Sequence, residues 1–203
     1  MVQRGVGESA LRAELAAETA RLLAEEGMND WGFAKAKAKQ RLGATRSLLP
    51  SNLEVAEALQ SYLQTFMAEE TAARLLALRQ AARPLMRALA EFQPLLAGPA
   101  LSGLATPTSL VELHLFSDPP EKVDIFLANA GRHYEDDERQ VRHPDGREQI
   151  VPSCVLEASA EVEVELLLFG EADRRWSPVS PVDGRPMQRW DIKALEEALT
   201  LAG

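Results

Sequence analysis

At 203 residues, with 46% hydrophobic and 26% charged side chains, the chain is long enough to bury a core as one domain or as one domain with a helical appendage. A single cysteine, Cys154, rules out an intramolecular disulfide and points to a reducing compartment; its apolar surroundings make it a buried, inert thiol. No run reaches the ~20 apolar residues that span a bilayer, and the first residues lack a secretory apolar core, so the expectation is a cytoplasmic protein with no membrane partner. The net charge of −9 is uneven. Up to Gly98 there are 12 Lys and Arg against 11 Asp and Glu; beyond it there are 10 against 20, which disfavours nonspecific nucleic-acid binding by that half.

The first half predicts helices. Ser9 can cap one that runs to about Glu26, with Leu11, Leu15, Leu22 and Leu23 near helical spacing and Gly27 at its end. A second runs from about Asp30 to Leu42 and stops at Gly43. Its Lys35, Lys37, Lys39 and Arg41 make it basic, a solvated face or a phosphate-contacting one. Pro50, Ser51 and Asn52 open a third, Leu53 to about Met67. A fourth begins at Glu69, with Leu75, Leu78, Leu85, Leu89 and Phe92 as its core stripe. Arg79, Arg83 and Arg87 share another face, either exposed or meeting phosphates, and Pro84 is expected to kink or break the helix near Arg83.

The second half changes period. After a loop punctuated by Gly98, Pro99, Gly103 and Pro107, the segment SLVELHLF alternates, placing Val111, Leu113 and Leu115 on one face and Glu112, His114 and Phe116 on the other. A short helix from Glu121 to about Ala130 closes at Gly131. A hairpin turns at Pro144-Asp145-Gly146, strands follow at Gln149–Leu156 and Glu161–Phe169, and a last helix covers Asp191 to Leu201. The whole predicts an α+β fold: a helical region over 1–68, then an α+β domain over 69–203 in which a small mixed or antiparallel sheet packs with helices.

Two strands bear acids. Glu112 lies on the polar face of the first, Glu163 and Glu165 on that of the last. If the strands are neighbours, these oxygens can converge on Mg²⁺ and support phosphoryl or nucleotidyl transfer. Alternation by itself predicts instead a half-exposed antiparallel sheet with an acidic solvent face. His114, His133 and His143 have no zinc spacing, and no GxSxG elbow, GxGxxG or Walker loop is present.

The stretch GPALSGLATPTSLVEL resembles the signature of the nucleotidyltransferase superfamily with the DNA polymerase β-like fold, especially its small bacterial members. The resemblance covers roughly Thr71 to Phe169. It puts Gly98 at the first glycine of the nucleotide-binding loop, with Ser102, Gly103, Pro107 and Ser109 in the rest of it. Leu110 falls on the first catalytic Asp and Glu112 on the second, and Glu163 or Glu165 supplies the third. It implies catalytic Glu112, Glu163 and Glu165, and a metal held by Glu112, Glu163 and, as a stand-in, His114. Pro99 replaces the phosphate-contacting Ser and offers no N–H, and Leu110 cannot ligate a metal. The implied protein is therefore a degenerate one that binds a nucleotide or a protein partner. An active, Mg²⁺-dependent nucleotidyltransferase is the alternative, and an interaction protein that works through its helical half is another. In this register Leu110 is expected in a cleft rather than in the core.

Overall fold

The computed structural model describes residues 2–44 and 49–201. Among them, seven α-helices accompany one five-stranded mixed sheet, an α+β architecture. The chain divides into two compact units. A helical unit comprises Met1–Arg74, Leu104–Ser109 and Pro181–Asp183; a sheet unit comprises Leu75–Gly103, Leu110–Ser180 and Gly184–Gly203.

The helical unit contains α1 (Val2–Glu25), α2 (Trp31–Leu42), α3 (Asn52–Phe66) and the start of α4 (Ala68–Ala88). Leu15, Leu22, Leu23, Val55, Leu59 and Leu63 form its core with Ala34 and Ala38 of α2. Local chemistry sets the ends. The Asp30 side chain accepts from the Phe33 N–H, Gly43 closes α2 at φ 62°, and Ser51 and Glu54 form a reciprocal capping box at α3. Ser9 is not a cap, because helical bonding continues upstream of it to Val2. The basic face of α2 is solvated, and its cations are paired at the surface along most of its length. Lys37 pairs with Glu26 at 2.6 Å, and Arg41 pairs with Glu18 and Glu26 at 3.0 and 2.8 Å. Lys35 donates to the Pro50 carbonyl and the Asn52 side chain.

Helix α4 runs through Pro84 to Ala88 without a break. The proline deletes one helical hydrogen bond, and the buried stripe Leu78, Ala82, Leu85 and Met86 holds both sides of it in place.

In the sheet unit the elements are β1 (Leu95–Ala97), α5 (Pro99–Ser102), β2 (Val111–Phe116), α6 (Glu121–Asn129), β3 (Glu135–Arg142), β4 (Glu148–Ser159), β5 (Val162–Phe169) and α7 (Ile192–Leu201), with strand order β1-β2-β5-β4-β3. The central pair β2 and β5 is parallel and every other pairing is antiparallel. The register sets Glu112 opposite Glu165 and His114 opposite Leu167. Val111, Leu113, Leu115, Val164, Leu166 and Leu168 share one face and are buried. The opposite face is buried too. Phe116, Val141, Val151, Leu167 and Phe169 cluster there with Leu95 and Trp176. The acidic solvent face expected from alternation is therefore absent at Glu112 and Glu165. A central parallel pair is covered on both sides, as the unbroken apolar run Leu166–Phe169 requires.

Candidate functional site

Four side chains gather on the face that carries Phe116 and Phe169. Glu112 and His114 are successive same-face residues of β2, and their side chains bond directly, Glu112 Oε1 to His114 Nε2 at 2.9 Å. A carboxylate only accepts, so Nε2 carries the hydrogen. His114 has no exposed surface, its ring lies 5.0 Å from that of Phe169, and its Nδ1 has no partner among the described residues. Glu165, directly across from Glu112, accepts a two-pronged bond from Arg139, with Nε to Oε1 at 3.1 Å and Nη2 to Oε2. Arg139 stands on the edge strand β3 and reaches across β4 to do this.

The energetics follow from burial. Desolvation pushes the Glu112 carboxyl up. The His114 bond, together with attraction to His114 and Arg139, outweighs it and holds the carboxyl below its ordinary value. For Arg139, desolvation opposes the charge, while the Glu165 bonds and the nearby acids Glu112 and Asp137 raise it above its ordinary value. The result is a closed quartet in which each carboxylate has its own internal donor.

The glycine of the predicted loop belongs to this cluster. Gly98 sits between β1 and α5 with φ 67° and ψ −144°, a conformation that suits glycine. A Cβ there would lie 3.1 Å from Oε2 and 3.2 Å from Cβ of Glu112, so the backbone rests against that carboxylate. The Gly98 carbonyl accepts from the Leu101 and Ser102 N–H groups, and Arg79 Nε donates to the Ala100 carbonyl at 3.0 Å. The Arg79 guanidinium lies over the Trp190 ring and Arg87 pairs with Glu196, so these two members of the predicted arginine face bond within the protein.

The remaining predicted residues are placed differently. Glu163 is exposed, two residues before Glu165 and opposite Glu157. Ser102 is exposed at the end of α5, and Gly103 follows it at φ 76°. Ser109 is buried within the helical unit, its hydroxyl accepting from the Thr106 N–H at 2.9 Å. Leu110 is partly buried just before β2. The structure thus brings Gly98, Glu112, His114 and Glu165 together and bonds Ser102 to Gly98 through its backbone N–H, while Glu163 is exposed, Gly103 closes α5 and Ser109 belongs to the helical unit.

These side chains do not present Mg²⁺ with a ligand set. Both oxygens of Glu165 face Arg139, one oxygen of Glu112 faces His114, and among the described residues no group of three or more His, Cys, Asp or Glu is arranged to hold a metal ion. Cys154 is buried and its thiol is pushed up to about 12, chiefly by burial and then by Asp124, Asp136 and Glu165, so it is not a nucleophile. Arg139 is the member that sequence reasoning missed. Its signal is the odd-numbered face of β3, Glu135, Asp137, Arg139 and Val141, where one cation interrupts acids. Among the described residues no helix is long and apolar enough to cross a membrane. Comparison with family models, with curated proteins and with solved structures finds no match.

Proposed function

We propose that the chain is a nucleotidyltransferase-like protein that has lost transfer chemistry and works by binding a nucleotide. One observation supports this reading most. Glu112 and Glu165 stand opposite each other on parallel central strands, with the Gly98 turn against them, yet each carboxylate is closed by an internal donor. A site built to hold metal leaves its acids open to the ion. Here the acids are structural, and the turn around Gly98 is the part that remains for a ligand.

The test is a thermal-shift titration of the purified full chain with ATP, GTP, CTP and UTP, each with and without Mg²⁺ or Mn²⁺. It is paired with an assay for pyrophosphate release. A ligand of the folded state alone raises its stability by mass action. The expected result is a shift with one nucleotide that needs no metal, without turnover. Metal-dependent turnover would restore the active transferase. The absence of a shift with every nucleotide at millimolar concentration would turn the search to a protein partner.

A further inference from the structure

We propose that the open edge of β3 binds an extended cationic segment of a partner protein, which joins the sheet as a further antiparallel strand. The two edges of the sheet differ. At β1, Leu96 and Trp190 exchange backbone bonds at 2.8 and 2.9 Å, so the chain itself covers that edge. At β3, the ladder to β4 uses one side of the strand only. Three bonds tell which residues turn outward. The His143 N–H donates to the Arg147 carbonyl at 2.8 Å and closes the hairpin; the Arg142 carbonyl accepts from the Val179 N–H at 2.8 Å; and the Glu138 N–H donates to the Asp137 side chain at 2.8 Å. Backbone groups alternate sides along an antiparallel strand, so Asp136, Glu138 and Gln140 turn theirs away from β4. Among the described residues no other backbone segment meets those three.

Charge and shape select the occupant. The strand opens on Glu135, Asp136, Asp137 and Glu138, all exposed, and the chain beyond Gly98 holds 20 acids against 10 Lys and Arg. That balance disfavours a second copy of the chain and favours a strand that carries cations. Charges on an edge keep neutral strands away; the same charges admit one of opposite sign. Shape adds a place for a side chain. Asp136 pairs with Cys154 and Cys154 with Leu166, so Asp136 and Glu138 project on the face of Leu166 and Leu168. With Asp124 of α6, Pro152 and Leu168 they line a cavity of about 410 Å³. Apolar lining beside acids suits a Lys or Arg, whose methylene stem packs while its head stays charged. Burial, followed by Asp136 and Glu121, pushes the Asp124 carboxyl up, and a cation in the cavity relieves that repulsion. An added strand bonds through its main chain and sets alternate side chains over this cavity. The Asp137 carboxylate, which holds the Glu138 N–H in the free protein, gives way to the incoming carbonyl.

The experiment titrates the full chain with a capped peptide of four Lys-Val repeats at constant ionic strength, read by calorimetry and by amide hydrogen exchange. Saturable binding is expected, with slowed exchange at the Glu138 and Gln140 amides. In antiparallel register the residues opposite Asp136 and Glu138 point their own N–H groups at β3. N-methylation of the lysines should therefore abolish binding, and N-methylation of the valines should preserve it. Asp136→Asn combined with Glu138→Gln, both at exposed positions, should weaken binding roughly three- to thirtyfold, the effect of two surface charge pairs. Retained binding of the lysine-methylated peptide, or equal binding of a peptide with the same residues in two blocks, would reduce the interaction to attraction between surfaces and overturn the proposal. So would the absence of saturable binding, or a dimer in sedimentation whose Glu138 and Gln140 amides are already protected. None of these readouts involves the Gly98 turn, so a failed nucleotide titration leaves the result untouched.

Discussion

In the helical unit, Glu18, Glu26 and Arg41 pair across the seam between α1 and α2 with side chains 18 to 38% exposed. In the sheet unit, Glu112 and Glu165 are 12 and 4% exposed and still carry donors of their own. The chemistry is the same and the dielectric surroundings differ. Surface pairs gain little, because water already solvates both partners. Buried pairs gain no more in net terms, but breaking one leaves a charge that nothing solvates. The helical unit can therefore lose an ion pair and keep its fold, whereas the sheet unit depends on the completeness of its quartet.

The largest expected effect is at His114. His114→Phe keeps an aromatic ring against Phe169 and removes the donor to Glu112, which should cost about 3–5 kcal/mol in denaturant unfolding. Adding Glu112→Leu should recover most of that loss, since an apolar pair of similar size replaces the buried ionic one. A loss under ~1 kcal/mol in the single variant would mean that the buried dyad behaves like a surface pair, and the contrast between the units would fail.

Arg139→Ala comes next, at about 3 kcal/mol, because it strands the buried Glu165. Glu165→Gln should cost less, about 1–2 kcal/mol, because the freed guanidinium is already 48% exposed and can turn to water. Equal losses in the two variants would remove this asymmetry. Gly98→Ala should follow at about 1–3 kcal/mol, from a left-handed backbone and a Cβ pressed on Glu112; an unchanged melting temperature would mean that the turn is free to move.

The helical unit was the more legible of the two. Asp30, Gly43, Ser51 and Gly27 act locally, and a cap or terminator needs only its own neighbours. The two elements without a sequence signal, β1 and α5, have three and four residues, too short for any period to register. Alternation correctly sorted the faces of β2 and β5. It misjudged what covers them, because cover is supplied by distant segments such as Trp176. The candidate site was legible to the same extent. Glu112, His114 and Glu165 stand on the strand faces expected of them, but that their charges are closed, through Arg139 on an edge strand two positions away, is tertiary information that no local pattern carries.

The smallest effect is the one that sharpens the contrast by its pH dependence. Glu18 is held at about 2, below its ordinary value of 4.5, mainly by the Arg21 bond against a smaller opposing effect of burial, with help from Arg41. The unfolded chain therefore takes up the proton at higher pH than the folded one. The stabilisation is complete above 4.5 and disappears as pH falls toward 2. Glu18→Gln should lower stability at neutral pH by only about 0.5–1 kcal/mol, seen as a shifted urea midpoint with unchanged slope. The native and variant midpoints should converge as pH falls through that window, and their neutral-pH difference should shrink with added salt. A difference that persists at pH 2, or that ignores salt, would place Glu18 in a buried setting like that of Glu112 and erase the distinction between the two units.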